Sequence, residues 1–219
     1  MAAAIAPIIW QVESLTAADG TVTARGDKDY TQKFCPADGS IGIRADCNVG
    51  TASYTLDGDM ITITQGISTL VACEDMATSD AFWAVLTMAS QWGIATDASD
   101  QLTITASDGS SLTANPTVTG VVWQWKEFQS MDDTVVVASD PAHFTLQFND
   151  DGSVQAQVDC NTGRGDATIE GSSITLVIAT TRKLCSEDSQ DSQYLDWLSQ
   201  ATSFVMRVIS EGAPKRPTS

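Results

Sequence analysis

Five cysteines, a single histidine and 28 acidic residues hold most of the chemistry that this 219-residue chain can do. Cys47 and Cys73 stand 26 residues apart, and Cys160 and Cys185 stand 25 apart. The same spacing met twice predicts two disulfides, Cys47–Cys73 and Cys160–Cys185. Closing a loop of that length stabilises a small domain by about 3 kcal/mol in the chain-entropy account. Such bonds persist in oxidising compartments, the periplasm or the cell exterior. Four buried free thiols are the competing arrangement. A metal site fits less well, because the spacing is not C-x-x-C and one histidine cannot complete two sites. No metal and no cofactor is therefore expected. Cys35 has no counterpart and reads as a small buried residue on a strand.

His143 is the only imidazole, so a Ser-His-Asp or Cys-His arrangement has one available base. It sits beside strand residues and reads as a surface group. Nothing ties a particular carboxylate pair to acid–base work, and no catalytic residue is expected. Asp97-Ala98-Ser99-Asp100 and Asp150-Asp151-Gly152-Ser153 lack the alternating oxygens and distal Glu of a calcium loop, and read as turns. Arg25-Gly26-Asp27 and Arg164-Gly165-Asp166 spell an adhesion tripeptide, but at positions that are not equivalent, and read as chance.

Two of the cysteines lie in a repeated motif. Asp46-Cys47-Asn48-Val49-Gly50 returns as Asp159-Cys160-Asn161-Thr162-Gly163. Cys160 follows Cys47 by 113 residues, Trp123 follows Trp10 by the same 113, and Cys185 follows Cys73 by 112. Landmarks in one order at one offset mean a duplicated domain. The reading is a first domain over 1–114, a linker over 115–119, a second domain over 120–211 and a tail over 212–219. Asp46, Asn48, Asp159 and Asn161 are most simply turn residues bonding the backbone, with Gly50 and Gly163 breaking the strand. A paired polar site in both copies is the sharper alternative.

The elements that must position these residues are mostly strands. Ile8–Val12, Tyr30–Phe34, Ile41–Ala45, Ser53–Leu56 and Met60–Thr64 alternate or run as β segments, punctuated by Asp19-Gly20, Asp38-Gly39 and Asp57-Gly58. From Met76 to Trp92 the apolar steps become three and four, which predicts one helix ended by Gly93. Leu102–Thr105 and Ser111–Ala114 flank Asp108-Gly109 as a closing hairpin. The second copy repeats the plan through a helix over Tyr194–Thr202 and a strand over Phe204–Ile209, and then lacks that hairpin. The fold class is mainly β (α+β): two tandem antiparallel barrel-like domains, each packed with one helix. The missing hairpin predicts an open strand edge in the second domain. A homodimer or a strand-donating partner at that edge is one expectation; cover by the tail is the other. Trp10, Trp123 and Trp125 read as core aromatics, with Trp125 in the place of Val12.

Eleven basic residues against 28 acidic leave a net charge of −17, with a pI near 4.1. That excess repels phosphate backbones and anionic membranes, so no nucleic acid partner is expected. Apolar runs fall short of the ~18 residues of a membrane helix. The short apolar start lacks a basic segment and a cleavage site, so no intact signal sequence is read in this chain.

The opening Trp strand, the Asp-Cys-Asn-x-Gly step, the hairpin, the Cys step, the helix and the closing hairpin together resemble the META domain family. The matching residues are Trp10, Cys47, Asn48, Gly50, Thr69 and Cys73, then Trp123, Cys160, Asn161, Gly163, Thr181 and Cys185. The resemblance implies a barrel-like sheet around one helix and no catalytic residues. It also implies a periplasmic, outer-membrane-associated or secreted location, with a role in stress tolerance or virulence. The expected function is non-enzymatic binding of an unknown protein or small-molecule ligand. A small-ligand carrier with a barrel cavity, or a protease inhibitor or other protein-binding module, is the alternative.

Overall fold

Alternating side chains line an interior on strand after strand. Tyr30, Gln32 and Phe34, then Ile41, Ile43 and Ala45, then Leu102, Ile104 and Ala106 all point inward and are buried, as the two-residue period of a half-buried sheet requires. The computed structural model describes residues 8–206 apart from 25, 27, 75, 96–99, 131–132 and 171. The chain divides into a first unit through Thr117 and a second spanning Val118–Val205.

The first unit runs β1 (Ile9–Thr16), β2 (Val22–Ala24), β3 (Tyr30–Cys35), β4 (Ser40–Ala45), β5 (Asn48–Asp57), β6 (Met60–Ser68), α1 (Met76–Thr87), β7 (Ala89–Ile94), β8 (Leu102–Ala106) and β9 (Ser111–Pro116). Strands β1 and β3 to β9 form an eight-stranded antiparallel barrel, which β9 closes by pairing back on β1 with Val12 opposite Ala114 and Leu15 opposite Leu112. Helix α1 contributes Phe82, Val85 and Leu86 to a core that also holds Trp10, Tyr30, Phe34, Ile41 and Ile61. Closure leaves β2, which pairs only with β1, as the sheet's one edge among the described residues.

The second unit runs β10 (Val122–Gln124), β11 (Glu127–Gln129), β12 (Val135–Val137), a 3-10 turn (Pro141–His143), β13 (Phe144–Phe148), β14 (Ser153–Val158), β15 (Asn161–Glu170), β16 (Ser173–Thr180) and α2 (Asp191–Gln200). Its main sheet is β10-β13-β14-β15-β16, with β11 and β12 as a separate hairpin. The two units agree in detail. Tyr30 meets Phe82 edge-on with ring centroids 5.5 Å apart at 68°, and Phe144 meets Tyr194 with the same distance and angle. Met60 opposite Gln91 becomes Ser173 opposite Ser203. The Ser14–Ala24 pair between β1 and β2 becomes Glu127–Val137 between β11 and β12.

The turns have one design. In Asp38-Gly39-Ser40 the Asp38 Oδ1 accepts from the Ser40 N–H at 3.0 Å and from its hydroxyl at 2.7 Å. Asp108 and Ser110, and Asp151 and Ser153, repeat it. Gly39 sits at φ +67°, which a residue without Cβ adopts freely. The bonds favour the charged carboxylates, so Asp38, Asp108 and Asp151 are held below their ordinary pKa.

The structure differs from the sequence reading at several places. Helix α1 ends at Thr87, whose hydroxyl bonds back to the Trp83 and Ala84 carbonyls, and Gly93 is no helix terminator. Ala89–Ile94 is β7, held by its register against β8 and by Trp92 Nε1 donating to the Gly58 carbonyl. Asn115 and Pro116 belong to β9 rather than to a linker, because they pair with Gln11 and Trp10. Cys35 is free and half-buried, since it alternates with the inward-facing Phe34. The loop after Thr16 contains β2, and β11 and β12 are an unforeseen hairpin. Of the expected strand Phe204–Ile209, the described part, 204–206, is irregular; the rest, with the tail 212–219, lies outside the described residues.

Candidate functional site

The repeated motif builds a clamp. Asn48 is buried, and its Oδ1 accepts from the Val71 N–H at 2.7 Å and the Thr69 hydroxyl at 2.9 Å. Its Nδ2 donates to the Val71 carbonyl at 2.8 Å and contacts Cys73 Sγ at 3.1 Å. Asn161 does the same with Lys183, Thr181 and Cys185. The disulfides Cys47–Cys73 and Cys160–Cys185 close beside these amides, with S–S distances of 2.05 and 2.01 Å. Asp46 and Asp159 take left-handed turn positions, φ +56° and +52°, and donate their N–H groups to the Asp29 and His143 carbonyls. A Cβ on Gly50 would lie 3.0 Å from the Ile67 carbonyl and the Trp83 ring, and one on Gly163 would lie 2.9 Å from Ile178. The motif residues thus tie the chain after β6, and after β16, to the start of β5 and β15. Asp46, Cys47 and Cys73 cluster closely enough to suggest metal ligands, but both sulfurs are spent in the disulfide.

The remaining sequence candidates stay apart. His143 is exposed, 3.6 Å from Asp159 Oδ1 and 4.0 Å from Asp140. Arg164-Gly165-Asp166 lies inside β15, paired to β14 on one side and β16 on the other, not at a loop tip. Asp150 and Asp151 belong to a turn. Arg25, Asp27 and 97–99 lie outside the described residues.

A cleft appears where the sequence marked no site. In the first unit β8 and β9 cover the outer end of α1, and Val12, Leu15 and Val85 are all buried. The second unit has no counterpart of that hairpin among its described residues. At the offsets of the repeat, Trp125 takes the place of Val12, Phe128 that of Leu15 and Trp197 that of Val85. Three larger rings thus stand where the first unit has Val12, Leu15 and Val85. Trp125 stacks on Tyr194 at 5.6 Å and meets Phe144 and Trp197 edge-on, and Phe128 lies flat on Trp197. What they leave is a cleft of about 360 Å³ lined by Trp125, Glu127, Phe128, Tyr194, Trp197 and Leu198, together with Gln200 and Ala201. Burial pushes the Tyr194 phenol up to about 12, so it stays neutral. A smaller groove of about 310 Å³ lies elsewhere in the second unit, around Phe148, Asp150 and Ile169, and is more polar. Of the cleft residues, only Trp125 stood out in the sequence, as the replacement for Val12. Aligning Leu15 with Phe128 and Val85 with Trp197 would have added the other two.

Fold and clamp together define a tandem of antiparallel β domains, each with one helix and one disulfide fastened by a buried asparagine. The META domain model matches residues 3–119 and again 116–210, and the chain belongs to the META domain family. No curated protein matches it. Among solved structures, an NMR structure of a protein from Burkholderia xenovorans is similar, with 20% identity, a TM-score of 0.43, and coverage of 51% of this chain and 82% of that one. The disulfides and the family fit an exported protein, and no helix among the described residues is long and apolar enough to cross a membrane.

Proposed function

We propose that this chain is a non-enzymatic exported binding protein, in which the first domain is a closed scaffold and the second carries the ligand site. The observation behind the reading is the aromatic cleft, which lies where the first domain is filled by its closing hairpin. A carrier built on the first barrel is disfavoured, because Trp10, Tyr30, Phe34 and Phe82 occupy its interior. Binding rather than turnover is supported by the cleft's chemistry. Its titratable groups are Glu127 and the neutral Tyr194, with no nucleophile beside a base. Cleft size also matches ligand pockets, which start near ~300 Å³. The periplasm, the outer membrane or the exterior, and a role under stress, complete the reading.

The test is fluorescence titration with the neutral apolar dye N-phenyl-1-naphthylamine. Wild-type protein should bind it with quenching of tryptophan emission, and Ala201→Trp, which fills the cleft, should abolish binding. Equal binding by the two proteins sinks the site.

A second reading, pairing with another copy of the chain, is supported by β10. Among the described residues it has no partner on the side where β9 lies against β1.

A further inference from the structure

The ligand-site reading leaves the chemical class of the ligand open, and the charges around the cleft narrow it. Resting on that reading, we infer that the cleft binds organic cations, of the quaternary ammonium type, by aromatic faces and the Glu127 carboxylate together. Four of the lining residues are aromatic: Trp125, Phe128, Tyr194 and Trp197. Ring faces carry the negative part of the quadrupole and attract a cation that comes within about 6 Å of the centroid. The one charged liner is Glu127, exposed at the rim. Its sequence neighbour Lys126 does not line the cleft and donates to Gln124 Oε1 at 3.2 Å. Among the described residues no cationic side chain lines the cleft. Across Val118–Val205 the sequence has thirteen acidic residues and four basic, so the surrounding field also favours a cation over an anion. Gln200, whose Nε2 donates to the Asp196 carbonyl at 3.0 Å, keeps its amide oxygen for a polar tail on the ligand.

A weakly hydrated cation suits this cleft better than an ammonium. The rings cannot replace the hydrogen bonds that a primary ammonium loses on leaving water. Methylated nitrogen presents a diffuse charge on an apolar surface and loses fewer.

The experiment compares choline with its neutral isostere 3,3-dimethylbutan-1-ol on the full chain, by tryptophan fluorescence and calorimetry at constant ionic strength. Choline is expected to bind roughly tenfold more tightly than the isostere. Glu127→Gln, a near-isosteric change on an exposed side chain, should weaken choline several-fold and leave the isostere unchanged. Asp150→Asn, which removes a charge at the other groove, should leave both unchanged. Equal binding of choline and isostere would overturn the cation inference while leaving the cleft as an apolar site. Equal weakening of choline by Glu127→Gln and Asp150→Asn would overturn it too, since general charge rather than the cleft would then attract the cation. Failure of choline, isostere and the neutral naphthylamine dye alike would remove the ligand site together with the inference.

Discussion

Phe128 lies flat on Trp197, with ring centroids 3.8 Å apart and planes within 7° of parallel. One ring comes from β11 and the other from α2, so the stack pins the short hairpin to the helix. In the first domain the same two places hold Leu15, which pairs with Leu112 of β9, and Val85, and both are buried. The stack therefore substitutes for a strand. Trp197→Ala should destabilise the second domain by about 2 kcal/mol, less than a fully buried Trp→Ala because Trp197 is half-exposed. Denaturant unfolding followed by fluorescence should show one transition shifted and the first domain's unchanged.

The asparagine clamps should carry more stability than their turn positions suggest. Asn161→Ala strands the Lys183 N–H and carbonyl without their partner, and the loss should be about 2–3 kcal/mol. Asn48→Ala should do the same to the first domain. In both variants the adjoining disulfide should be reduced faster by dithiothreitol, which alkylation and mass spectrometry would time.

Thiol counting on the denatured, non-reduced chain should find one free cysteine, Cys35, and linked peptides joining Cys47 to Cys73 and Cys160 to Cys185. Cys160→Ser with Cys185→Ser should lower the stability of the second domain by about 3 kcal/mol.

Alkali should unfold the second domain. Tyr194 is raised from 10.0 to about 12 by burial, so the folded state resists its ionisation. The contribution is fully present below pH 10, where both states keep the proton, and is lost as pH rises through about 12. It amounts to about 3 kcal/mol, and Tyr194→Phe should remove the dependence. Acid acts oppositely on the turns. Asp38, Asp108 and Asp151 have depressed values, so their contribution is present above the unfolded 3.8 and lost as pH falls through the folded values. Hydrogen exchange at the Ser40, Ser110 and Ser153 amides should rise below pH 4 in step with protonation.

If β10 pairs with a second copy, light scattering should show a dimer, and Val122→Lys, a charge on that edge, should return it to monomer. A wild-type monomer at high concentration would count against the pairing.

Much of the architecture was legible because its determinants are local. Asp-Gly-Ser forms its own turn, Asp-Cys-Asn-x-Gly its own hairpin, and a cysteine pair kept in both copies its own loop. The end of α1 was not, because apolar steps of three and four continue from Leu86 to Trp92. What makes Ala89–Ile94 a strand is β8, which lies beyond it in the chain. Cys35 was misread for a smaller reason, a one-residue shift in which face the strand buries.

By itself the sequence determined the turns and the disulfide framework, which rest on residues within some thirty positions of one another, and the duplication and the family, which rest on the same landmarks recurring in order some 113 residues on. The missing hairpin already marked the second copy as the open one; only the tertiary structure decided what fills it. Trp125 and Phe128, at and beside β11, lie some seventy residues from Tyr194 and Trp197 of α2. They meet because folding brings α2 across β11, where the other domain lays down a strand. A cleft is a volume left over after packing, and no local pattern of residues records it.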